Sequence, residues 1–204
     1  MATATDAPLP PRPPDETDTE LTAPEPRRGF ELRDGTLTDA DLSTQQLSEG
    51  RLTDVRVVRG SLANADLSRC TIRRAELTGA RATGSSLADA TVADVTFVDC
   101  RLDLASFRFA TLERVAFRDC RLEEADFYGA TLTSVLFESC PLVGATLSEA
   151  TLDRVELRGC DLEGLRGAER LRGARMPWAD IIASAGTFAA ALGIVASDDE
   201  LESD

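Results

Sequence analysis

The stretch CRLEEADFYG, from Cys120 to Gly129, brings together side chains that could do chemistry. A thiol, a guanidinium and three carboxylates lie within its first seven residues. Thiolates and carboxylates bind metal ions, and neighbouring carboxylates can share acid–base work when an apolar pocket raises the pKa of one of them. The 204-residue chain has no histidine, which excludes a histidine base or histidine metal site. Whether the stretch is a site therefore depends on whether its side chains converge.

A five-residue repeat determines where those side chains point. A large apolar residue recurs at every fifth position from Leu32 to Leu162, and Ala82 is the only exception. Most residues two positions earlier in each repeat are small, as at Ala65 and Cys70. A period of five fits neither an α-helix nor a flat strand. We therefore predict that two of every five side chains point inward from a chain that turns repeatedly.

A longer period of twenty residues is superimposed on the first. It is shown by two sets of identical residues, Cys100, Cys120, Cys140 and Cys160, and Phe97, Phe117 and Phe137. Twenty residues thus form one coil of four repeats. Coils stacked at the spacing of hydrogen-bonded strands, about 4.8 Å, place each set in one interior column. The predicted fold is an all-β solenoid with four sides.

Several of these repeats match a known unit. Ala40-Asp41-Leu42, Ala65-Asp66-Leu67 and Ala125-Asp126-Phe127 resemble the A-(D/N)-(L/F)-x-x unit of the pentapeptide repeat proteins. The resemblance covers residues 30–165. It implies a right-handed quadrilateral β-helix there, with about 20 residues per coil.

This architecture separates the reactive groups of Cys120–Gly129. The inward residues are Cys120, Leu122, Ala125 and Phe127. The outward residues are Arg121, Glu123, Glu124, Asp126 and Tyr128. Because metal ligands must converge on one point, we predict no metal, cofactor or catalytic site and no enzyme activity. Packed, reduced thiols are favoured over a disulfide ladder, because parallel Cβ vectors are poorly aimed for bridging.

Composition limits the partners and the compartment. The formal net charge is −14, so the surface repels a nucleic-acid backbone and direct nucleic-acid binding is not expected. Residues 1–29 are rich in proline, threonine and acids and are predicted to form a disordered arm. Residues 197–204 are predicted to form an acidic disordered tail. No apolar run of secretory-signal length begins the chain, so a cytoplasmic protein is expected.

Outward acids cluster when the sequence is folded by twenty. This acidic face consists of Asp99, Asp103, Asp119, Glu123, Glu124 and Asp126. A column of Arg81, Arg101 and Arg121 lies beside it, so two interpretations stay open. The acids form cross-coil ion pairs that contribute about 0–1 kcal/mol each, or they bind a partner. Phe109 and Tyr128 form an alternative aromatic patch for recognition, unless they only pack at a turn.

Residues 166–196 are predicted to form a C-terminal capping and dimerisation module. A short helix is expected between Pro177 and Gly193, with one apolar stripe that covers the last coil. A membrane anchor is the alternative for this apolar run, but Asp180 and small polar residues dilute it, so no membrane contact is expected. Apolar residues left exposed would support a symmetric dimer. The residues of this module are Trp178, Ile181, Ile182, Phe188 and Leu192.

The ending RMPWADIIASAGTFAAALGIVA resembles that of the gyrase-protecting pentapeptide repeat proteins, most closely at Leu192-Gly193-Ile194. The resemblance implies an end-to-end homodimer that imitates B-form DNA, binds DNA gyrase or topoisomerase IV and can confer quinolone resistance. The acidic face would then supply phosphate-like charge. The alternative function is a general protein-interaction scaffold with a partner that is not a topoisomerase, recognised by Phe109 and Tyr128 or by the N-terminal arm.

Overall fold

The structure is a computed structural model that describes residues 7–25 and 28–195. Seven parallel strands form one sheet in chain order. Each residue of a strand pairs with the residue twenty positions later, as Leu52 does with Ile72. The prediction of a β-solenoid with about 20 residues per coil is therefore confirmed. The strands are β1 Glu31–Thr38, β2 Arg51–Val58, β3 Thr71–Thr78, β4 Thr91–Val98, β5 Thr111–Arg118, β6 Thr131–Glu138 and β7 Thr151–Arg158.

One backbone conformation recurs at the corners of the coil. From position 34 to position 164, every fifth residue has a positive φ, between 46° and 67°. Glycine fills only some of these positions; Leu104 and Phe109, for example, have φ values of 58° and 56°. Residues other than glycine adopt this left-handed conformation at a cost in free energy. At each of these positions the chain turns a corner and begins the next side of the coil. Four such corners in twenty residues close the quadrilateral.

The interior is filled by stacked columns of identical side chains. Phe117 packs face to face against Phe97 and Phe137, with ring centroids 4.9 and 5.1 Å apart. Phe107 and Phe127 form a second stack and meet the first edge to face. Apolar burial and aromatic contact along these columns stabilise the coil stack.

The five cysteines are buried and free rather than disulfide-bonded. The Cys100 thiol donates a hydrogen bond to the carbonyl of Leu77 at 3.2 Å. Burial raises the pKa of the Cys70 thiol to about 11, and burial also raises that of Cys160. Reactive cysteines require a lowered pKa and access to solvent, so these two thiols act as packing groups.

Phe30 closes the N-terminal end of the solenoid. Its side chain is 2% exposed and lies above Gly50, the equivalent residue of the next coil. A methyl group at Gly50 would overlap the Phe30 ring, whereas Cys70 and Ala90 occupy the same column further along. The Phe30 ring therefore leaves no room for a side chain at position 50.

We expect Gly50→Ala to lower the free energy of unfolding by about 2–3 kcal/mol, since the buried Phe30 ring must move to accept the methyl group. Gly60→Ala is the matched control, because it occupies the same repeat position. Its methyl group would meet a Val57 methyl at 2.9 Å and the Ala40 carbonyl oxygen at 3.3 Å, a smaller overlap than with the Phe30 ring, so a lower cost of about 1 kcal/mol is expected. Urea unfolding measures both values, and equal costs would contradict the capping role of Phe30.

The N-terminal segment, which the sequence predicts to be a disordered arm, makes contacts with the solenoid between residues 7 and 21. Glu20 pairs with Thr36 on the open edge of β1. The Leu21 amide donates to the carbonyl of Thr36 at 2.7 Å. Composition gives this segment no core of its own, but the unpaired edge of β1 provides hydrogen-bond partners that composition does not reveal. Residues 1–6, like the predicted tail 197–204, lie outside the described residues.

The C-terminal module contains a 3-10 helix, Ala168–Leu171, followed by α1, Trp178–Ala183, and α2, Ala185–Ala191. The single predicted helix is therefore two short helices, which meet at the buried Ser184. The Thr187 hydroxyl donates to the carbonyl of Leu162 at 2.9 Å and ties α2 to the last coil. Gly193, with a φ of 72°, ends the helical region as expected. Within the part of the chain described, no helix has the length and apolarity needed to cross a membrane.

Candidate partner-binding surface

The reactive stretch Cys120–Gly129 is divided between the two sides of the wall. Its four inward residues are completely buried, and its outward residues lie at the surface. The thiol of Cys120 therefore faces the core, while the carboxylates of Glu123 and Glu124 face the other way. Among residues 7–25 and 28–195, no group of three cysteine, aspartate or glutamate side chains could hold a metal ion.

The acidic face occupies one side of two neighbouring coils and the corners that border it. Asp99 and Asp119 share one corner, with φ values of 52° each, and Glu124 lies at the next corner, with a φ of 55°. Asp103 and Glu123 lie on the side between these corners. Asp126 lies on the following side, where its backbone pairs with that of Ser106. The structure therefore brings the six predicted acids onto one continuous part of the surface.

Arginines pair with half of these acids. Arg121 lies 3.5 Å from Asp103 and 3.3 Å from Glu123, and Arg108 lies 2.7 Å from Asp126. Within the described residues, Asp99, Asp119 and Glu124 have no arginine nitrogen within 4.0 Å, the ion-pair distance. The ion-pair interpretation thus holds for Asp103, Glu123 and Asp126. The three acids at the corners carry the charge that is not neutralised by a neighbour.

The aromatic patch is organised around an arginine. Phe109 and Tyr128 meet edge to face, with centroids 5.6 Å apart, and Phe109 is 53% exposed. The Arg108 guanidinium lies 4.5 Å from the centroid of the Tyr128 ring and 5.5 Å from that of Phe109. These distances are in the range of cation–π contacts. Sequence analysis missed Arg108, although it lies twenty residues before Tyr128 and must stack beside it.

A second exposed apolar surface lies at the C-terminal end. Trp178 is 74% exposed and Ile182, one helical turn further along α1, is 60% exposed. Ile181 and Phe188 are half-buried and line a cavity of about 320 Å³ with Leu171. Of the five residues predicted for this module, Phe188 therefore packs against the core, Ile181 is half-buried beside it, and the other three are exposed. The exposed residues are Trp178, Ile182 and Leu192, with Ile194 and Val195 beyond them.

Comparison with known proteins identifies the repeat region that carries most of these surfaces. The family model described as "Pentapeptide repeat region" matches residues 51–127, 74–147 and 110–167. The model describes a repeat region and not a catalytic domain. A search of curated proteins finds no match.

Solved structures with the same repeat architecture are distant in sequence. HetL, a pentapeptide repeat protein involved in heterocyst differentiation regulation in the cyanobacterium Nostoc, is 21% identical; the match covers 72% of this chain and 87% of HetL, with a TM-score of 0.32. QnrB1, a plasmid-mediated fluoroquinolone resistance protein, is 16% identical in a trypsin-treated variant form, over 87% of this chain and 96% of that one, with a TM-score of 0.35. A thylakoid-lumen protein of Arabidopsis thaliana is 23% identical, over 58% and 68%, with a TM-score of 0.31.

Proposed function

Since this chain belongs to the pentapeptide repeat family, we propose that it is a non-catalytic, protein-binding rod that occupies the DNA-binding groove of a type II topoisomerase, either DNA gyrase or topoisomerase IV. The observation that carries the proposal is the acidic face. Asp99, Asp119 and Glu124 hold carboxylates at corners of the rod, outside the arginine ion pairs. The resemblance of the C-terminal ending to gyrase-protecting proteins adds support. The proposal implies a cytoplasmic protein.

The rod fits this role through regular spacing rather than through a pocket. Like residues of neighbouring coils lie about 4.8 Å apart, so Asp99 and Asp119 form a pair of charges parallel to the solenoid axis, with Glu124 at the next corner. A basic groove that binds DNA phosphates attracts such an edge by the same long-range electrostatics. Arg121 holds Asp103 and Glu123 close to the wall, which leaves the corner acids as the groups that reach a partner first.

The dimer completes the proposed mimic. Trp178 and Ile182 form an apolar face on α1 that packs against no part of the described chain strongly enough to bury it. A two-fold axis at this end would bury both residues against their copies and join two rods end to end. Six coil spacings give about 29 Å per rod, so the pair would present about 60 Å of solenoid.

Trp178→Asp/Ile182→Asp is expected to convert the dimer to a monomer, because two carboxylates would be buried at the apolar contact. Light scattering during size-exclusion chromatography would give the mass of one chain instead of two. Leu104→Asp is the matched control, since Leu104 is 56% exposed but lies on the solenoid wall, and it should leave the mass unchanged. A wild-type protein that elutes as a monomer at tens of micromolar would contradict the dimer.

A supercoiling assay with purified gyrase tests the topoisomerase proposal directly. The protein is expected to inhibit supercoiling, or to protect gyrase from a fluoroquinolone, and the effect should weaken as added salt screens the charges. Fluoroquinolone resistance is the matching phenotype in cells. If micromolar dimer affected neither gyrase nor, in the corresponding assay, topoisomerase IV at any salt concentration, the proposal would be overturned.

The second candidate function is a general interaction scaffold, and the Arg108 cluster favours it. Tyrosine, arginine and phenylalanine at one exposed point are the residue types of interface hot spots. Phe109→Ala/Tyr128→Ala should then abolish capture of the partner, and neither the wild-type protein nor the variant should affect a topoisomerase. The reverse pattern would favour the topoisomerase proposal.

A further inference from the structure

The segment from Pro8 to Asp15 lies extended across the outer surface of the sheet. Its sequence, PLPPRPPD, contains five prolines, and residues 8–15 are neither helix nor strand. Proline fixes φ near −65° and keeps the preceding residue out of the helical region. Such a segment adopts the polyproline II conformation, in which the backbone makes no internal hydrogen bonds and advances about 3.1 Å per residue.

The solenoid satisfies backbone groups of this segment. The Arg12 amide donates to Oδ1 of Asp94 at 3.2 Å, and the Asp15 amide donates to Oδ1 of Asp54 at 3.4 Å. In the other direction, Arg56 donates to the carbonyls of Asp15 and Pro14, at 3.0 and 3.1 Å. On the side of the segment, these contacts involve only backbone groups. They therefore depend on the conformation of the segment and on which of its residues keep a backbone N–H group.

The backbone N–H donors of the segment and the carboxylate acceptors of the solenoid have nearly the same spacing. The residues that retain an N–H between the prolines are Leu9, Arg12 and Asp15, one in every three. Three residues of polyproline II span about 9.3 Å. Asp54 and Asp94 are two coils apart in one column, which is about 9.6 Å. The solenoid therefore presents acceptors at two successive turns of the polyproline helix, for the amides of Arg12 and Asp15.

The acceptors are held in place before the segment arrives. Arg74 donates to Asp54 at 2.6 Å, and Arg114 donates to Asp94 at 2.6 and 2.8 Å. These arginine hydrogen bonds lower the pKa of both carboxyl groups, so both remain ionised acceptors at neutral pH. Asp54 is 4% exposed and Asp94 8% exposed in the docked state.

The surface continues past these two acceptors as a track of mixed character. Pro8–Pro11 line a shallow cavity of about 120 Å³ together with the apolar Val115, Ala116 and Leu136 and the charged Arg118, Glu156 and Arg158. Ala116 points outward from the solenoid wall and is nevertheless 1% exposed. The track and the acceptor column together define the polyproline face: Asp54, Arg56, Asp94, Ala116 and Leu136.

We propose that the polyproline face is a binding site for polyproline II segments with one N–H donor in every three residues, occupied in cis by residues 8–15 and able to accept a proline-rich peptide of the same pattern in trans. The segment then acts as a tethered competitor. Its attachment gives it a high effective concentration, so a ligand in trans gains access only when the segment is released or outcompeted.

The test uses a fluorescein-labelled peptide with the sequence of residues 7–18 and the full chain in two forms. Arg12→Pro/Asp15→Pro in the full chain removes both donors from the segment while keeping its conformation. The peptide should bind this variant saturably, and should bind the wild-type chain at least tenfold more weakly because the site is occupied. Fluorescence anisotropy measures both affinities.

Two controls locate the binding and separate it from the proposed function. A peptide carrying the same two proline substitutions should bind the variant at least tenfold more weakly, because it offers no donor to either carboxylate. Adding Ala116→Lys to the full-chain variant should also abolish peptide binding by blocking the track, with an unchanged circular dichroism spectrum. Equal affinity for the two peptides, or no binding to the Arg12→Pro/Asp15→Pro chain, would overturn the proposal. Neither outcome depends on topoisomerase inhibition.

Discussion

Replacing Phe117 by alanine is expected to lower the free energy of unfolding by about 3–5 kcal/mol, the cost of emptying a fully buried aromatic site. Phe117 is completely buried and stacks between Phe97 and Phe137, while Phe107 and Phe127 meet its edges. Because each coil of a solenoid contacts only its neighbours, no distant part of the fold can relax to fill the space. The void would interrupt one aromatic column at its centre and remove edge-to-face contacts of the other.

Phe109→Ala is the matched control for this substitution. Phe109 is also a phenylalanine of the central coils, but it points outward and is 53% exposed. Its loss removes surface contacts with Tyr128, Arg108 and Gly129, so a cost below about 1 kcal/mol is expected. Urea unfolding followed by circular dichroism compares the two variants. Similar costs would show that the aromatic columns do not carry the stability of the core.

The second large effect concerns the proposed partner. Asp99→Lys/Asp119→Lys/Glu124→Lys is expected to raise the concentration needed for half-inhibition of gyrase at least tenfold. Each substitution reverses a charge that no arginine neutralises among the residues described, so the attraction to a basic groove becomes repulsion. The supercoiling assay at low salt measures the change.

The control for this triple variant must change the net charge by the same amount. Asp18→Lys/Asp34→Lys/Asp89→Lys does so at exposed acids outside the acidic face, with Asp89 at the opposite corner of the coil from Asp99. Inhibition by the control should change less than about threefold, because only the general field of the protein is altered. Equal losses in the two variants would mean that total charge, and not the acidic face, drives binding.

Sequence analysis predicted the interior of this fold better than its exterior. The period of five specified which side chains point inward, because one residue out of register would expose a whole column. The period of twenty specified which residues become neighbours, and the stacking of Phe97, Phe117 and Phe137 follows from it. The same period could have identified Arg108 beside Tyr128.

The docking of the N-terminal segment could not be predicted in this way. Proline-rich composition indicates a segment that forms no core of its own, and that inference is physically sound. What composition does not contain is the column of acceptors, because Asp54 and Asp94 lie 40 residues apart in the chain and become a pair only in the folded solenoid. The break between α1 and α2 was missed for a related reason: Ser184 is buried and lines a cavity with residues of the last coil, and helical periodicity does not reveal that position.

Because strand residues pair with those twenty positions later, the solenoid can be lengthened or shortened only by whole coils of twenty residues. Duplicating one coil would lengthen the rod by about 4.8 Å and leave every side chain on its original face. The two acidic faces of a dimer could therefore be moved apart in increments without being rotated. A polyproline segment imposes a coarser step, because one added Xaa-Pro-Pro triplet spans two added coils. A longer solenoid would therefore keep its polyproline face fully covered only if the N-terminal segment lengthened as well, by three residues for every two coils of twenty residues.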